Sequence, residues 1–234
     1  MTTLVLLHSA LGRTSGMDAI AERFALAGYA VHTPDVYAGR TFDDAESGVA
    51  HSQEVGFSTL VDRVKAACGG LGDDLVFGGF SLGAALAQQM GKNDPRARGV
   101  LLFHGGGFPK PTRWQAGVPV QAHFAVDDSW RSPGTIETLM ESATQAGAQA
   151  EYFLYPGSTH LFSDPTTPDY REDSAELLYE RALAFLDRFL SLRRFNGTGF
   201  LHLGHPCRRI PPSAHLRRRW WVRPAHVTVG RLNP

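Results

Sequence analysis

The sequence has little cysteine, no membrane-length apolar run and no overall charge, and each shortage excludes a class of protein. Its 234 residues include two cysteines, Cys68 and Cys207, which are too few for a disulfide framework and fit a reducing compartment. No apolar run approaches the roughly 20 residues that a membrane helix needs. The first residues also lack the basic segment of a signal peptide. We therefore expect a cytoplasmic protein with no membrane partner.

The zero net charge hides an uneven distribution of acids and bases. Across the whole chain, 23 Lys and Arg balance 23 Asp and Glu. Residues 193–234 contain nine arginines and neither lysine nor acid, which leaves 14 basic and 23 acidic side chains in residues 1–192. A neutral chain argues against a dedicated nucleic-acid binder. The asymmetry predicts an acidic domain, 1–192, followed by a basic tail, 193–234.

The acidic part alternates apolar runs of strand length with segments of helical spacing. The apolar runs are 3–8, 29–33, 75–79, 99–104, 118–125 and 151–155. Near-continuous apolar strands are typical of a parallel sheet that is buried on both faces, with helices as crossovers. We therefore predict an α/β fold, a doubly wound and mostly parallel sheet of about six strands with helices on both faces. In such a sheet the ligand site lies at the carboxyl ends of the strands.

The sharpest motif is Gly79-Phe80-Ser81-Leu82-Gly83, between a predicted strand and the small-residue helix start Ala84–Ala87. A nucleophilic serine on a sharp strand-to-helix turn needs small residues two before and two after it, because neighbouring backbone crowds those positions. The helix N-terminus also favours developing negative charge, so the Leu82 N–H is a candidate oxyanion donor. The alternative is a glycine-rich turn with an incidental serine. A similar stretch, Gly56-Phe57-Ser58, lacks the second glycine and follows no strand.

A serine hydroxyl needs a general base, which is itself oriented by a carboxylate. In this kind of fold the chain order is serine, then acid, then histidine. Asp127 and Asp128 follow the strand 118–125, and His160 follows the last strand, so all of them lie at one sheet edge. From the residues alone, either aspartate could orient His160.

Other histidines compete for roles at this edge. His8 and His104 lie at strand ends but at the wrong place in the chain order, so we interpret them as pocket-lining or supporting groups. A metal site built from His8, His104, His160 and Asp128 is conceivable, but no recognised ligand spacing supports it. We predict no metal and no cofactor.

Five ordered stretches within residues 3–190 resemble the dienelactone hydrolase family of α/β-hydrolases. They are 6–12, 27–37, 79–84, 123–128 and 155–162. The resemblance implies the α/β-hydrolase fold and the cleavage of a small-molecule carboxylic ester or lactone. It places the triad acid at Asp128, five residues after His123, and the second oxyanion N–H at Ala10.

Two features depart from the dienelactone enzymes that the chain resembles. Those enzymes use a cysteine nucleophile held by a glutamate, where this chain has Ser81 and Ser9. They also carry an arginine that grips a substrate carboxylate, where this chain has Asp164. We therefore expect a serine hydrolase that forms an acyl-enzyme on Ser81 and acts on a neutral ester. The candidate pocket residues are Ser9, Tyr37, Arg40 and His104, with Arg40 either keeping part of an anion site or being a solvated loop residue.

Two further hypotheses remain open. The same triad could cleave a thioester or an amide. Alternatively, the protein could be a non-enzymatic binder of anions or nucleic acid, with the tail 193–234 as its active part. Because that tail lacks Asp, Glu and Lys altogether, we interpret it as a disordered or adventitious extension rather than a docking arm. No feature of the sequence predicts an oligomeric state.

Overall fold

Six strands form one parallel sheet in the computed structural model, which describes residues 2–196. The strands are β1 (Thr3–Leu7), β2 (Ala30–His32), β3 (Leu75–Phe80), β4 (Ala97–Phe103), β5 (Val120–Ala125) and β6 (Ala150–Tyr155). Their order is β2-β1-β3-β4-β5-β6, and every neighbouring pair is parallel. The predicted parallel sheet of about six strands is confirmed.

Helices cover both faces of the sheet, as predicted. They are α1 (Ser15–Leu26), α2 (Ala45–Val55), α3 (Phe57–Ala67), α4 (Leu82–Asn93), α5 (Thr135–Gln145) and α6 (Glu172–Asn196). One core, which includes Phe24 of α1 and Phe185 of α6, lies on one face. The other core receives apolar side chains from α3, α4 and α5, such as Leu60, Leu86 and Leu139. Between residues 2 and 196, no helix is long and apolar enough to cross a membrane.

The last helix passes the predicted end of the acidic domain. Helix α6 continues to Asn196, so its backbone includes the first arginines of the predicted tail. The rest of the tail, 197–234, lies outside the described residues, and so does Cys207. The division into a domain 1–192 and a basic tail therefore stays a prediction. Cys68 lies inside the domain, where it is fully buried beside α3.

The strand order creates a crevice at the carboxyl edge of the sheet. From β1 the chain crosses outward to β2, and it then returns to place β3 on the other side of β1. The loops that follow β1 and β3 therefore leave the sheet in opposite directions, which is the switch point where α/β sheets bind ligands. The loops after β4, β5 and β6 emerge at the same edge.

We predict that three buried histidines make the protein less stable in mild acid. Burial lowers the pKa of His8, holds the pKa of His104 well below its usual range, and lowers the pKa of His123 to about 3. An unfolded histidine titrates near pH 6.5. The folded state therefore binds fewer protons below that pH, and the free energy of unfolding falls as the pH falls.

For His123 alone, the expected loss between about pH 6.5 and pH 5 is about 2 kcal/mol. Urea unfolding at the two pH values measures it. His123→Gln keeps hydrogen-bonding groups without titrating in this window, so it should remove about that share of the pH dependence. A free energy of unfolding that stays constant from pH 6.5 to pH 5 would contradict the prediction.

Candidate active site

Ser81 occupies a strained turn between β3 and α4. Its backbone has φ 54° and ψ −111°, in the positive-φ region that non-glycine residues seldom adopt. A Cβ on Gly79 would overlap the carbonyl of Gly83, and a Cβ on Gly83 would overlap the carbonyls of Leu7 and His8. This crowding is the physical reason for a glycine on each side of the serine. It also shows that the turn lies directly against the end of β1.

Ser81, His160 and Asp128 form a continuous chain of hydrogen-bonding groups. The Ser81 Oγ lies 2.8 Å from His160 Nε2, and the Asp128 Oδ2 lies 2.7 Å from His160 Nδ1. Because a carboxylate only accepts, Nδ1 carries the proton, which leaves the Nε2 of a neutral ring free to accept from the serine hydroxyl. The Asp128 side chain is 1% exposed, and that of His160 is 12% exposed.

The neighbouring aspartate lies outside this chain of contacts. Asp127 is exposed, and its backbone N–H donates to the Gly157 carbonyl at 3.1 Å. Asp128 instead turns inward, where its Oδ1 accepts from the Trp130 N–H at 2.9 Å in an Asx turn. The structure therefore brings Asp128, and not Asp127, against the histidine.

The two backbone N–H groups predicted as oxyanion donors have no acceptor within the described part of the chain. Leu82 is the first residue of α4, and Ala10 follows β1 in the adjoining loop. Among residues 2–196, neither N–H donates a hydrogen bond. The loop around Ala10 is fixed by local bonds: the Ser9 carbonyl accepts from the Gly12 N–H at 3.1 Å, and the Ser9 Oγ accepts from the Leu11 N–H at 3.2 Å.

The candidate pocket residues differ in how far they can reach a ligand. Ser9 is buried in the loop just described. Tyr37 is 1% exposed and donates to the Gly48 carbonyl at 3.0 Å, so it packs in the core beneath the loops rather than on a pocket wall. Arg40 is exposed in the turn after Tyr37, and none of the ion pairs among the described residues involves its guanidinium.

His104 is fully buried next to His160. Its Nε2 lies 2.6 Å from the Ser163 Oγ, and its ring centroid lies 6.3 Å from that of His160. Its ring edge packs on Phe162 at 4.5 Å. His104 therefore connects the end of β4 to the turn that carries His160, and it supports the site from behind instead of lining it.

Asp164 has a local structural partner. Its Oδ1 accepts from the N–H of Thr166 at 2.9 Å and from the hydroxyl of Thr166 at 2.8 Å. The carboxylate lies against Gly16 in the first turn of α1, where the helix macrodipole favours a negative charge. This position therefore holds a buried anion.

The histidines proposed as metal ligands are otherwise engaged. His8 Nδ1 lies 2.7 Å from the Ser9 carbonyl, and its Nε2 accepts from the Val36 N–H at 3.2 Å. Both ring nitrogens of His8 therefore fix neighbouring loops. Residues 2–196 hold no group of three or more His, Cys, Asp or Glu side chains placed to bind a metal ion.

Sequence reasoning missed Trp130, which lies at the mouth of the site. Its ring centroid is 5.5 Å from that of His160, with an angle of 32° between the ring planes. The side chain is 47% exposed. The sequence offered one signal, because Trp130 stands two residues after Asp128. An Asx turn holds the residue at that position close to the carboxylate.

Known proteins resemble this chain in sequence. The sequence profile of the dienelactone hydrolase family matches residues 1–190. A Salmonella typhi protein with the provisional name carboxymethylenebutenolidase is 24% identical over 191 residues, covering 73% of this chain and 71% of its own.

Two solved structures are similar in fold. One is a dienelactone hydrolase-like promiscuous phosphotriesterase from metagenomic libraries, with a TM-score of 0.68, 17% identity, and coverage of 80% of this chain and 86% of that chain. The other is a thermophilic esterase of Thermogutta terrifontis, with a TM-score of 0.54, 18% identity, and coverage of 85% and 86%. The family model matches most of this chain. The chain therefore belongs to the dienelactone hydrolase family and is a carboxylic ester hydrolase with the α/β-hydrolase fold.

Proposed function

We propose that this protein hydrolyses neutral carboxylic esters or lactones through an acyl-enzyme on Ser81. The observation that carries the proposal is the unbroken set of contacts from Asp128 through His160 to Ser81, at 2.7 Å and 2.8 Å. These contacts lie at the crevice edge of the sheet, and the N–H groups of Leu82 and Ala10 have no acceptor among residues 2–196. A nucleophile, a base with an oriented ring, and oxyanion donors are the groups that acyl transfer requires.

The first half of the reaction forms the acyl-enzyme. The Ser81 Oγ attacks the substrate carbonyl carbon while His160 Nε2 takes the hydroxyl proton. Asp128 stabilises the resulting imidazolium, and the N–H groups of Leu82 and Ala10 hold the negative oxygen of the tetrahedral intermediate. Collapse of that intermediate breaks the bond to the alcohol, which leaves with the proton from His160.

The second half regenerates the free serine. A water molecule gives a proton to His160 Nε2 and attacks the acyl carbonyl, using the same oxyanion donors. The carboxylic acid then departs as Ser81 recovers its proton. These steps need no metal or organic cofactor, because each proton is transferred by His160. A thioester or an amide could follow the same route with a different leaving group.

Charge around the site favours a neutral substrate. Asp127 is exposed on the loop that carries the triad acid, and Asp164 is the buried anion near the turn of His160. Residues 1–192 carry nine more acidic than basic side chains. A substrate carboxylate would therefore enter a negative field, and one unit charge at modest distance in this setting costs about 1 kcal/mol or more.

The test compares two p-nitrophenyl esters of similar length, the butyrate and the anionic monosuccinate. We expect kcat/KM for the butyrate to exceed that for the monosuccinate by about tenfold, with the gap narrowing at high salt. A fluorophosphonate probe should also label Ser81. Absence of both turnover and labelling would refute the proposal, whereas faster cleavage of the monosuccinate would point to Arg40 as an anion site.

A further inference from the structure

Trp130 exposes a large apolar surface, and its ring also lies next to His160, the proposed general base. Its indole is 47% exposed, although burying apolar area is worth roughly 25 cal/mol per Å². The ring lies beside the imidazole of His160, with the centroids 5.5 Å apart and the planes tilted by 32°. The proposed reaction, on which this inference rests, gives no role to the indole.

Backbone contacts with the triad acid hold Trp130 in this place. The Trp130 N–H donates to Asp128 Oδ1 at 2.9 Å, and the next N–H, that of Arg131, donates to the Asp128 carbonyl at 3.1 Å. One short turn therefore sets both the carboxylate that orients His160 and the ring that covers it. Because these bonds use only the backbone of residue 130, a substitution of its side chain leaves the turn in place.

The indole face is placed to interact with the positive charge that His160 acquires. A cation within about 6 Å of an aromatic centroid is attracted by the negative face of the ring, most strongly when that ring is tryptophan. His160 becomes a cation only when it holds the serine proton, so the attraction strengthens as the transition state forms.

Other groups around His160 leave this outer face to the indole. Asp128 and Ser81 engage its two ring nitrogens. His104 lies at 6.3 Å on the inner side, where burial keeps it neutral, since its pKa is well below the usual range. Asp169 accepts from the N–H of Leu161, the residue after His160, at 3.0 Å.

We propose that Trp130 is a positioning residue that holds the His160 ring and stabilises its protonated form through the indole face. Its contribution appears in kcat rather than in KM, because the interaction is made with the catalytic base and not with the substrate. Without the indole, the protonated form of His160 is less stable. The variant is therefore slower, but it keeps its activity to a lower pH.

Three substitutions of Trp130 separate the ring face from simple apolar cover. Trp130→Phe keeps a smaller aromatic face, Trp130→Leu keeps apolar cover without one, and Trp130→Ala removes both. For Trp130→Leu we expect kcat for p-nitrophenyl butyrate to fall about threefold at unchanged KM, and the acid limb of kcat/KM to move about 0.5 pH unit lower. Trp130→Phe should lie between Trp130→Leu and the parent protein in both readouts.

Val126→Ala is the matched control, because Val126 is 44% exposed in the same loop. We expect it to leave kcat and the acid limb unchanged. A Trp130→Leu protein with the parent's kcat and acid limb would overturn the inference. So would a raised KM with an unmoved acid limb, which would make Trp130 a platform for the substrate. Fluorophosphonate labelling of the parent Ser81 tests the underlying reaction separately, so the two failures are distinguishable.

Discussion

Replacing Ser81 by alanine should reduce ester turnover by on the order of 10⁴- to 10⁶-fold and leave the fold intact. The substitution removes only the Oγ that lies 2.8 Å from His160 Nε2, and with it the nucleophile. Alanine keeps the Cβ and meets the same backbone constraint at φ 54°, so the strained turn is not further destabilised. Steady-state hydrolysis of p-nitrophenyl butyrate and a thermal melt measure the two halves of this expectation.

Ser58 provides the control for this experiment. It ends a similar Gly-Phe-Ser stretch, but it lies exposed in the first turn of α3 rather than on a strand-to-helix turn. Ser58→Ala should therefore keep full turnover and fluorophosphonate labelling, while Ser81→Ala loses both. Undiminished turnover in Ser81→Ala would falsify the assignment of the nucleophile. A melting temperature more than about 5 °C lower would instead mean that the hydroxyl supports the turn.

The second large effect concerns the two adjacent aspartates. Asp128→Asn should lower kcat by on the order of 10³- to 10⁴-fold. The asparagine amide can still accept from the Trp130 N–H, so the turn survives. Its NH₂ group then faces His160 Nδ1, which must become the acceptor. The ring proton then lies on Nε2. A protonated Nε2 can no longer accept the proton of the serine hydroxyl.

Asp127→Asn is the comparison that gives this prediction its specificity. The Asp127 carboxylate is exposed, and only its backbone N–H makes a bond in the site region, to Gly157. We expect a change in kcat of less than about twofold, within the range of ordinary surface substitutions. If Asp127→Asn were the more damaging of the pair, the structural choice between the two carboxylates would be wrong. Both variants are measured at the same pH, so that the comparison reports the substitution alone.

The elements of the fold were predictable because their causes are local. Apolar runs such as 75–79 and 118–125 read as buried strands, and β3 and β5 form there. The glycines at 79 and 83 predicted a crowded turn at Ser81, since a side chain at either position would meet backbone atoms. In each case the signal and the structural consequence lie within a few residues of one another.

Side-chain direction was harder to predict. Asp127 and Asp128 are adjacent and chemically identical, and only the resemblance to a family favoured the second. In the folded chain, Asp128 turns inward to the ring of His160 and Asp127 faces solvent. Tyr37 shows the same limit, because it was predicted to line the pocket but its hydroxyl reaches the Gly48 carbonyl in the core.

The sequence by itself determined which chemical groups the protein has and where its strands, helices and sharp turn begin, because periodicity and small-residue spacing act over one or two turns of chain. Only the tertiary structure decided which of those groups meet. Asp128 lies 32 residues from His160, and Ser81 lies 79 residues from it. Contacts at 2.7 Å and 2.8 Å over such separations depend on the order and register of β3, β5 and β6, which the packing of the whole sheet fixes. The position of Trp130 next to His160 also depends on this packing of the whole sheet.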